Sequence, residues 1–135
     1  MSIKRKILVV DDEEMIVTLL SRTLQKSYDV TEASSGGEAI SLLEKNSFDL
    51  VLTDVRMPGI DGIQLLETVR EIRPECEVIL MTSFTDIDIV ITALNRGAFA
   101  FVTKPLDTAM VLKRIEDGLA IVRSRENQKK VIKEI

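Results

Sequence analysis

Leu50 to Gly62 reads LVLTDVRMPGIDG, an apolar run with one Thr that stops at Asp54. Met57-Pro58-Gly59 then interrupts regular structure, and Asp61-Gly62 leads into a new amphipathic segment. A short continuous run of this kind marks a strand covered on both faces, as in a parallel sheet. A carboxylate at the end of such a strand is costly, because burying an unpartnered charge costs far more than burying a hydroxyl. The rest of the chain is therefore read for what compensates Asp54.

The same pattern recurs on either side. Ile7 to Val10 (ILVV) is a buried strand, followed at once by Asp11, Asp12, Glu13 and Glu14 and then by helical spacing at Ile16, Leu19, Leu20 and Leu24. Tyr28 to Ala33 alternates like a less buried strand, and Ala39, Ile40, Leu42 and Leu43 mark a second helix. After Asp54 comes a helix with Ile63, Leu65, Leu66, Val69 and Ile72, with Pro74 just beyond it. Val78 to Met81 is a fourth strand, ending at Thr82-Ser83, and Asp86 to Asn95 a fourth helix, ended by Gly97. Ala98 to Val102 is a fifth strand, ending at Thr103-Lys104-Pro105, and the fifth helix starts from Asp107.

Five strands alternating with five helices predict an α/β fold, a five-stranded parallel sheet with helices on both faces. The most economical closure is the doubly wound, flavodoxin-like order 2-1-3-4-5, whose ligand site lies at the carboxyl ends of the strands. Asp11-Asp12, Asp54, Thr82 and Lys104 follow the first, third, fourth and fifth strands. Residues far apart in sequence are thus expected on one rim.

Composition sets the bounds. A chain of 135 residues, 45% hydrophobic and 30% charged, is long enough for one proper core and too apolar for a disordered chain. No stretch approaches the roughly 20 apolar residues of a membrane helix, and the apolar run of MSIKRKILVVDDEE stops too soon for a signal peptide. With one cysteine, Cys76, and no histidine, neither an internal disulfide nor a Cys/His metal centre is available. The expected location is cytoplasmic. Residues 121–135 carry five basic against two acidic residues, +3, leaving −7 on the remainder of a chain of net charge −4. An acidic body argues against nucleic acid binding by the body itself.

Three clustered carboxylates repel one another and need a neutralising charge. A hard divalent cation supplies it, and Mg²⁺ takes oxygen ligands from one or two carboxylates plus a phosphate. Lys104 adds a point cation for a phosphoryl oxygen, and Thr82 a hydroxyl donor. Metal-assisted phosphoryl transfer onto Asp54 fits this set, giving an aspartyl phosphate. Taken singly, Asp11 to Glu14 read as helix caps, Asp54 as a turn residue, Thr82 as a strand-end cap and Lys104 as a solvated charge. Their occurrence at four strand ends favours the joint reading. Met57 is expected to be a packing residue and Cys76 to be inert.

VVDDEE, LVLTDVRMPGIDG, ILMTS and AFVTKP, in this order and spacing, resemble the receiver domain of two-component response regulators over about residues 4 to 120. The resemblance is to receivers of NtrC-type transcriptional activators, which carry an ATPase module. It implies Asp54 as the phosphoacceptor and Mg²⁺ as the cofactor. Asp12 and Asp54 would bind the metal directly, Asp11 through water, and Arg56 by its backbone carbonyl. Thr82 and Lys104 would grip the phosphoryl group, and Thr82 with Phe101 would form the switch. The Lys104-Pro105 bond would be cis. A sensor histidine kinase is the implied partner. The changed surface is the fourth helix, fifth strand and fifth helix, and the implied output is transcription. The domain would be a regulatory phosphoacceptor that promotes its own phosphorylation and dephosphorylation, not a classical enzyme. Arg56 and Phe84 stand where some relatives place an amide or acid that aids attack by water, so a long-lived phosphoryl group is expected.

Residues 1–120 are thus expected to be the receiver. Residues 121–135 read as a helical extension beginning a linker to an effector domain absent from this sequence, an account preferred over a single-domain regulator. The spacing at 112, 115, 119 and 122 fits a heptad seam that Glu126 and Lys129 interrupt. The tail is either a solvated helix or a dimerising segment, and a homodimer could also form through the fourth helix, fifth strand and fifth helix. A haloacid dehalogenase-type enzyme would want an Asp where Arg56 stands. A flavodoxin-like cofactor binder would want a Gly-rich phosphate loop where Asp11 to Glu14 stand. A binding module that is never phosphorylated is the remaining alternative, and the complete set of reactive residues argues against it.

Overall fold

The computed structural model describes residues 3–134, without the side chains at 84, 133 and 134. Residue 135, the last apolar position of the tail, lies outside the described residues. The elements run β1 (Lys6–Val10), α1 (Glu14–Leu24), β2 (Asp29–Ala33), α2 (Gly36–Lys45), β3 (Leu50–Asp54), α3 (Gly62–Ile72), β4 (Glu77–Thr82), a 3₁₀ turn (Phe84–Asp86), α4 (Ile87–Asn95), β5 (Ala100–Thr103) and α5 (Thr108–Glu134). All strand pairs are parallel, in the order β2-β1-β3-β4-β5. Val9 pairs with Leu52, and Leu52 with Ile79, across the fully buried centre.

Side chains alternate along each strand, so the sheet sends every second residue to one of two cores. Leu8, Val10, Val51, Val78 and Leu80 meet Ala39 and Leu43 of α2, Leu65, Leu66 and Val69 of α3, and Ala93 of α4. Ile7, Val9, Leu50, Leu52, Ile79 and Met81 meet Leu20 and Leu24 of α1, and Val111, Ile115 and Leu119 of α5. This double coverage explains why the three central strands read as unbroken apolar runs. Among the described residues, no helix is long and apolar enough to cross a membrane.

Three features differ from the sequence reading. The fifth strand begins at Ala100 instead of Ala98, because α4 ends on Gly97 at φ +105 and the Ala98 N–H returns to the Ala93 carbonyl at 3.1 Å. The fourth helical segment is split, with a 3₁₀ turn through Asp86 ahead of α4. The apolar seam of α5 is already used: Ile115, Leu119 and Val122 are buried and Leu112 packs on the sheet cluster. That stripe is therefore not free for a coiled coil, and Ile121, Val131 and Ile132 are the exposed apolar residues of the helix beyond 120. The extension is nonetheless continuous with α5 and is tied to the amino end of the sheet. Arg5 pairs with Glu126 (Nη2 to Oε1, 2.7 Å) and Asp49 (Nη1 to Oδ1, 3.2 Å), and Arg125 pairs with the buried Glu77.

The turn after β3 is set by two local devices. Asp61 caps α3, its Oδ1 accepting from the N–H groups of Ile63 (3.0 Å) and Gln64 (2.9 Å), while Gln64 Oε1 accepts from the Asp61 N–H (2.9 Å). Gly62 is the closest approach: a Cβ there would lie 2.3 Å from the Asp54 carbonyl oxygen and 2.8 Å from Val55 Cα. Both obstacles are backbone and cannot swing aside. Gly62→Ala is expected to lose about 3 kcal/mol, lowering Tm by about 10 °C. Gly37→Ala, where the nearest atom is Ser35 Oγ at 4.0 Å, should leave Tm equal or higher. Thermal unfolding followed by circular dichroism separates the two, and an equal response would refute the steric account.

Candidate phosphorylation site

β1 and β3 are neighbours where the strand order reverses, so their carboxyl ends present Asp11, Asp12 and Asp54 to one crevice. Each of these three acids places one carboxylate oxygen within 4.8 Å of the others. Asp11 is fully buried and Asp54 nearly so, while Asp12 is exposed. Lys104, carried in by the turn after β5, bonds through Nζ to Asp11 Oδ2 (3.1 Å), Asp54 Oδ2 (3.2 Å) and Glu13 Oε1 (3.3 Å). Its backbone N–H is fastened to the Thr82 carbonyl at 2.7 Å, and the Lys104-Pro105 bond is cis, as the sequence reading expects. One cation thus spans acids from two different loops.

Burial pushes the Asp54 carboxyl above its ordinary range, the charge of Asp11 pushes it further, and Lys104 and the Arg56 N–H pull part of the way back. For Lys104, burial works against the charge, but the bonds and charges of Asp11 and Asp54 outweigh it and the ammonium is held more firmly than usual. Four acids around one ammonium leave the crevice strongly negative. The donors are all oxygens, so the site suits a hard cation, and Cys76 plays no part, being buried with its thiol pushed up to about 12. Met57 is buried in the apolar core.

The structure gathers Asp11, Asp12, Asp54 and Lys104 as the sequence reading expects, while the Thr82 hydroxyl is bonded to a neighbouring carbonyl. Thr82 is buried at the end of β4, and its Oγ1 donates to the Ser83 carbonyl at 3.2 Å. Phe101 is half-buried on β5, packed against the core that Ile89 and Leu94 of α4 also join. Two acids escaped the sequence reading. Glu13 is a third partner of Lys104, not a cap: it stands at the N-cap of α1 without a side-chain capping bond, while Asp11 Oδ1 accepts the Glu13 N–H at 2.9 Å. Asp86 is buried and accepts from Arg56 Nε (2.8 and 2.9 Å) and Nη2 (2.6 Å). Arg56 holds the Asp86 carboxyl below its usual range.

Residues 7–116 match the family model described as response regulator receiver domain. The chain belongs to this family. Among curated relatives, the receiver is 37% identical over 121 residues to the transcriptional regulatory protein ZraR of Salmonella typhimurium, covering 89% of this chain and 27% of ZraR. It therefore spans about a quarter of the length of the curated relatives it matches. A crystal structure of a Rhodopirellula baltica protein described as adenylate cyclase superposes with TM-score 0.93 at 27% identity, covering 98% of this receiver and 100% of that chain. NtrX from Brucella abortus, crystallised with ADP, gives TM-score 0.89 at 25% identity over 96% of the receiver and 30% of its own chain. The resemblance to receivers of NtrC-type regulators thus holds in sequence and in fold.

Proposed function

We propose that this receiver is a signalling switch that accepts a phosphoryl group on Asp54. The observation that carries the reading is a nearly buried acceptor carboxylate that touches Lys104 and shares a crevice with Asp11 and Asp12. An Asp54 oxygen attacks the phosphorus of a donor, the phosphohistidine of a sensor histidine kinase or a small acyl phosphate. The new O–P bond forms as the bond to the donor breaks, and the donor departs with the electron pair. Lys104 moves from the Asp54 oxygen to an oxygen of the incoming group and keeps its proton. Asp12, Asp54 and the Arg56 carbonyl would hold Mg²⁺, with Asp11 acting through water, and the ion would supply positive charge against the phosphoryl oxygens.

Thr82 then gives up the Ser83 carbonyl and donates to the phosphoryl group, and Phe101 turns into the space released. α4, β5 and α5 re-seat as a surface for a partner, a second copy of the chain or an output domain, with transcription as the controlled process. The two packings exist beforehand, and the added charge biases their populations. The Arg56 guanidinium carries donors and no acceptor, so it cannot orient a water as an amide or acid would, which favours a long-lived phosphoryl group. Residues 121–135 serve as the helical lead toward an effector domain. In all this the domain acts as a regulatory phosphoacceptor.

Intact mass after exposure to acetyl phosphate tests the reading. With Mg²⁺ the protein should gain about 80 Da, one phosphoryl group, and with a chelator nothing. After donor removal the added mass should persist beyond seconds. No gain from acetyl phosphate or from a phosphorylated histidine kinase would overturn the proposal.

A further inference from the structure

α4 is the most lightly seated helix on the sheet. It buries Val90 and Ala93, whereas α1 and α3 each bury four residues and α2 three. Its first turn has no side-chain cap, although Asp86 stands at the N-cap position, where an acid ordinarily stabilises a helix. Asp86 is turned away. Its buried carboxylate takes three contacts from the Arg56 guanidinium, and Ser83 Oγ adds a fourth at 3.4 Å. Arg56 lies two residues beyond Asp54, in the loop that follows β3. One side chain therefore joins the loop of the acceptor to the N-cap of a weakly held helix.

Resting on the phosphoacceptor reading above, we infer that Arg56 is a phosphoryl-binding residue held in reserve by Asp86, and that it exchanges the Asp86 carboxylate for a phosphoryl oxygen once Asp54 is modified. The guanidinium fork suits a phosphoryl group at least as well as a carboxylate, and the phosphoryl group carries about 1.5 to 2 negative charges against one. The exchange leaves the Asp86 carboxylate with the long Ser83 Oγ contact in place of a guanidinium, a poorly compensated state for a charge so little exposed. Turning its carboxylate onto the first-turn N–H groups of α4, which have no side-chain cap at rest, relieves it, and that turn moves the helix. Asp86 is a positioning residue in this scheme: it holds α4 in the resting seat and keeps Arg56 off the acceptor until charge arrives.

The test follows the Arg56 Nε–H resonance, identified by its loss in Arg56→Gln, and hydrogen exchange of the α4 amides. Beryllofluoride with Mg²⁺ serves as the phosphoryl mimic, and a protein-bound fluorine signal reports its binding. The Arg56 resonance should shift when the mimic binds, and α4 amides should exchange about tenfold faster. Asp86→Asn should show the faster exchange without the mimic. Arg56→Gln, at a largely exposed side chain, should match it, and the double variant should go no further than either single one. A stationary Arg56 resonance with the mimic bound, wild-type exchange in Asp86→Asn, or additive effects in the double variant would each overturn the inference. A wild type that never binds the mimic would instead overturn the phosphoacceptor reading, while the untreated variants still decide whether the pair holds α4.

Discussion

Asp54→Asn is expected to take up no phosphoryl group under conditions that fully modify the wild type, and to be the more stable protein at neutral pH without Mg²⁺. The first result follows because an amide oxygen is no nucleophile toward phosphorus, and Asp11 and Glu13 are committed elsewhere: Asp11 to the Glu13 N–H and Lys104, Glu13 to Lys104. The second follows from electrostatics. Burial and the charge of Asp11 raise the Asp54 pKa in the folded state, so ionising this group works against folding. The penalty is absent below the unfolded pKa of an aspartate and complete once pH has risen through the raised folded value. The isosteric amide removes it, so the variant should unfold at a higher temperature than the wild type at pH 7 and at the same temperature at pH 3. Thermal unfolding across pH in chelator checks this, and mass spectrometry checks the uptake. A variant less stable at pH 7, or one that still gains mass, would refute the respective half.

Lys104→Ala should slow phosphoryl uptake from acetyl phosphate by a factor of about 100 or more. Removing one preorganised donor at the point where charge develops typically costs that much. Here the donor is also the cation that bonds to three acids, so its loss leaves Asp11 and Asp54 buried without it. The variant should therefore unfold at lower temperature than the wild type in chelator, and Mg²⁺ should raise its Tm by more than it raises that of the wild type. Lys104→Arg should not restore the rate, because a planar fork does not reproduce a single ammonium among three carboxylates. Initial rates by intact mass decide the matter, and a rate within threefold of the wild type would remove Lys104 from the mechanism.

The sheet order and the gathering of Asp11, Asp12, Asp54 and Lys104 could be read from the chain because each follows a strand, and parallel topology carries strand ends to one rim. Other features depend on competition that spacing does not encode. The Thr82 hydroxyl has a carbonyl partner one residue away, and that short-range bond decides its resting direction. The Arg56–Asp86 pair joins residues 30 positions apart on two irregular loops, whose proximity exists only after β3 and β4 pair. Glu13 looks like an ordinary helix-start acid until Lys104 arrives from the far end of the chain. The seam at 112, 115, 119 and 122 was legible as apolar, but periodicity does not say whether a sheet or a second helix will cover it.

The bonds of Arg5 to Glu126 and of Arg125 to Glu77 give the long α5 a mechanical meaning. They clamp it to the sheet up to residue 126, and the helix spans about 40 Å from Thr108 to Glu134. The segment past the clamp behaves as a drive shaft whose base is bolted to the domain. Chain joined in helical phase beyond it inherits its direction, and each residue inserted after the clamp turns that direction by about 100° while advancing it only about 1.5 Å. Angle, more than distance, is what a helical extension of this kind would set.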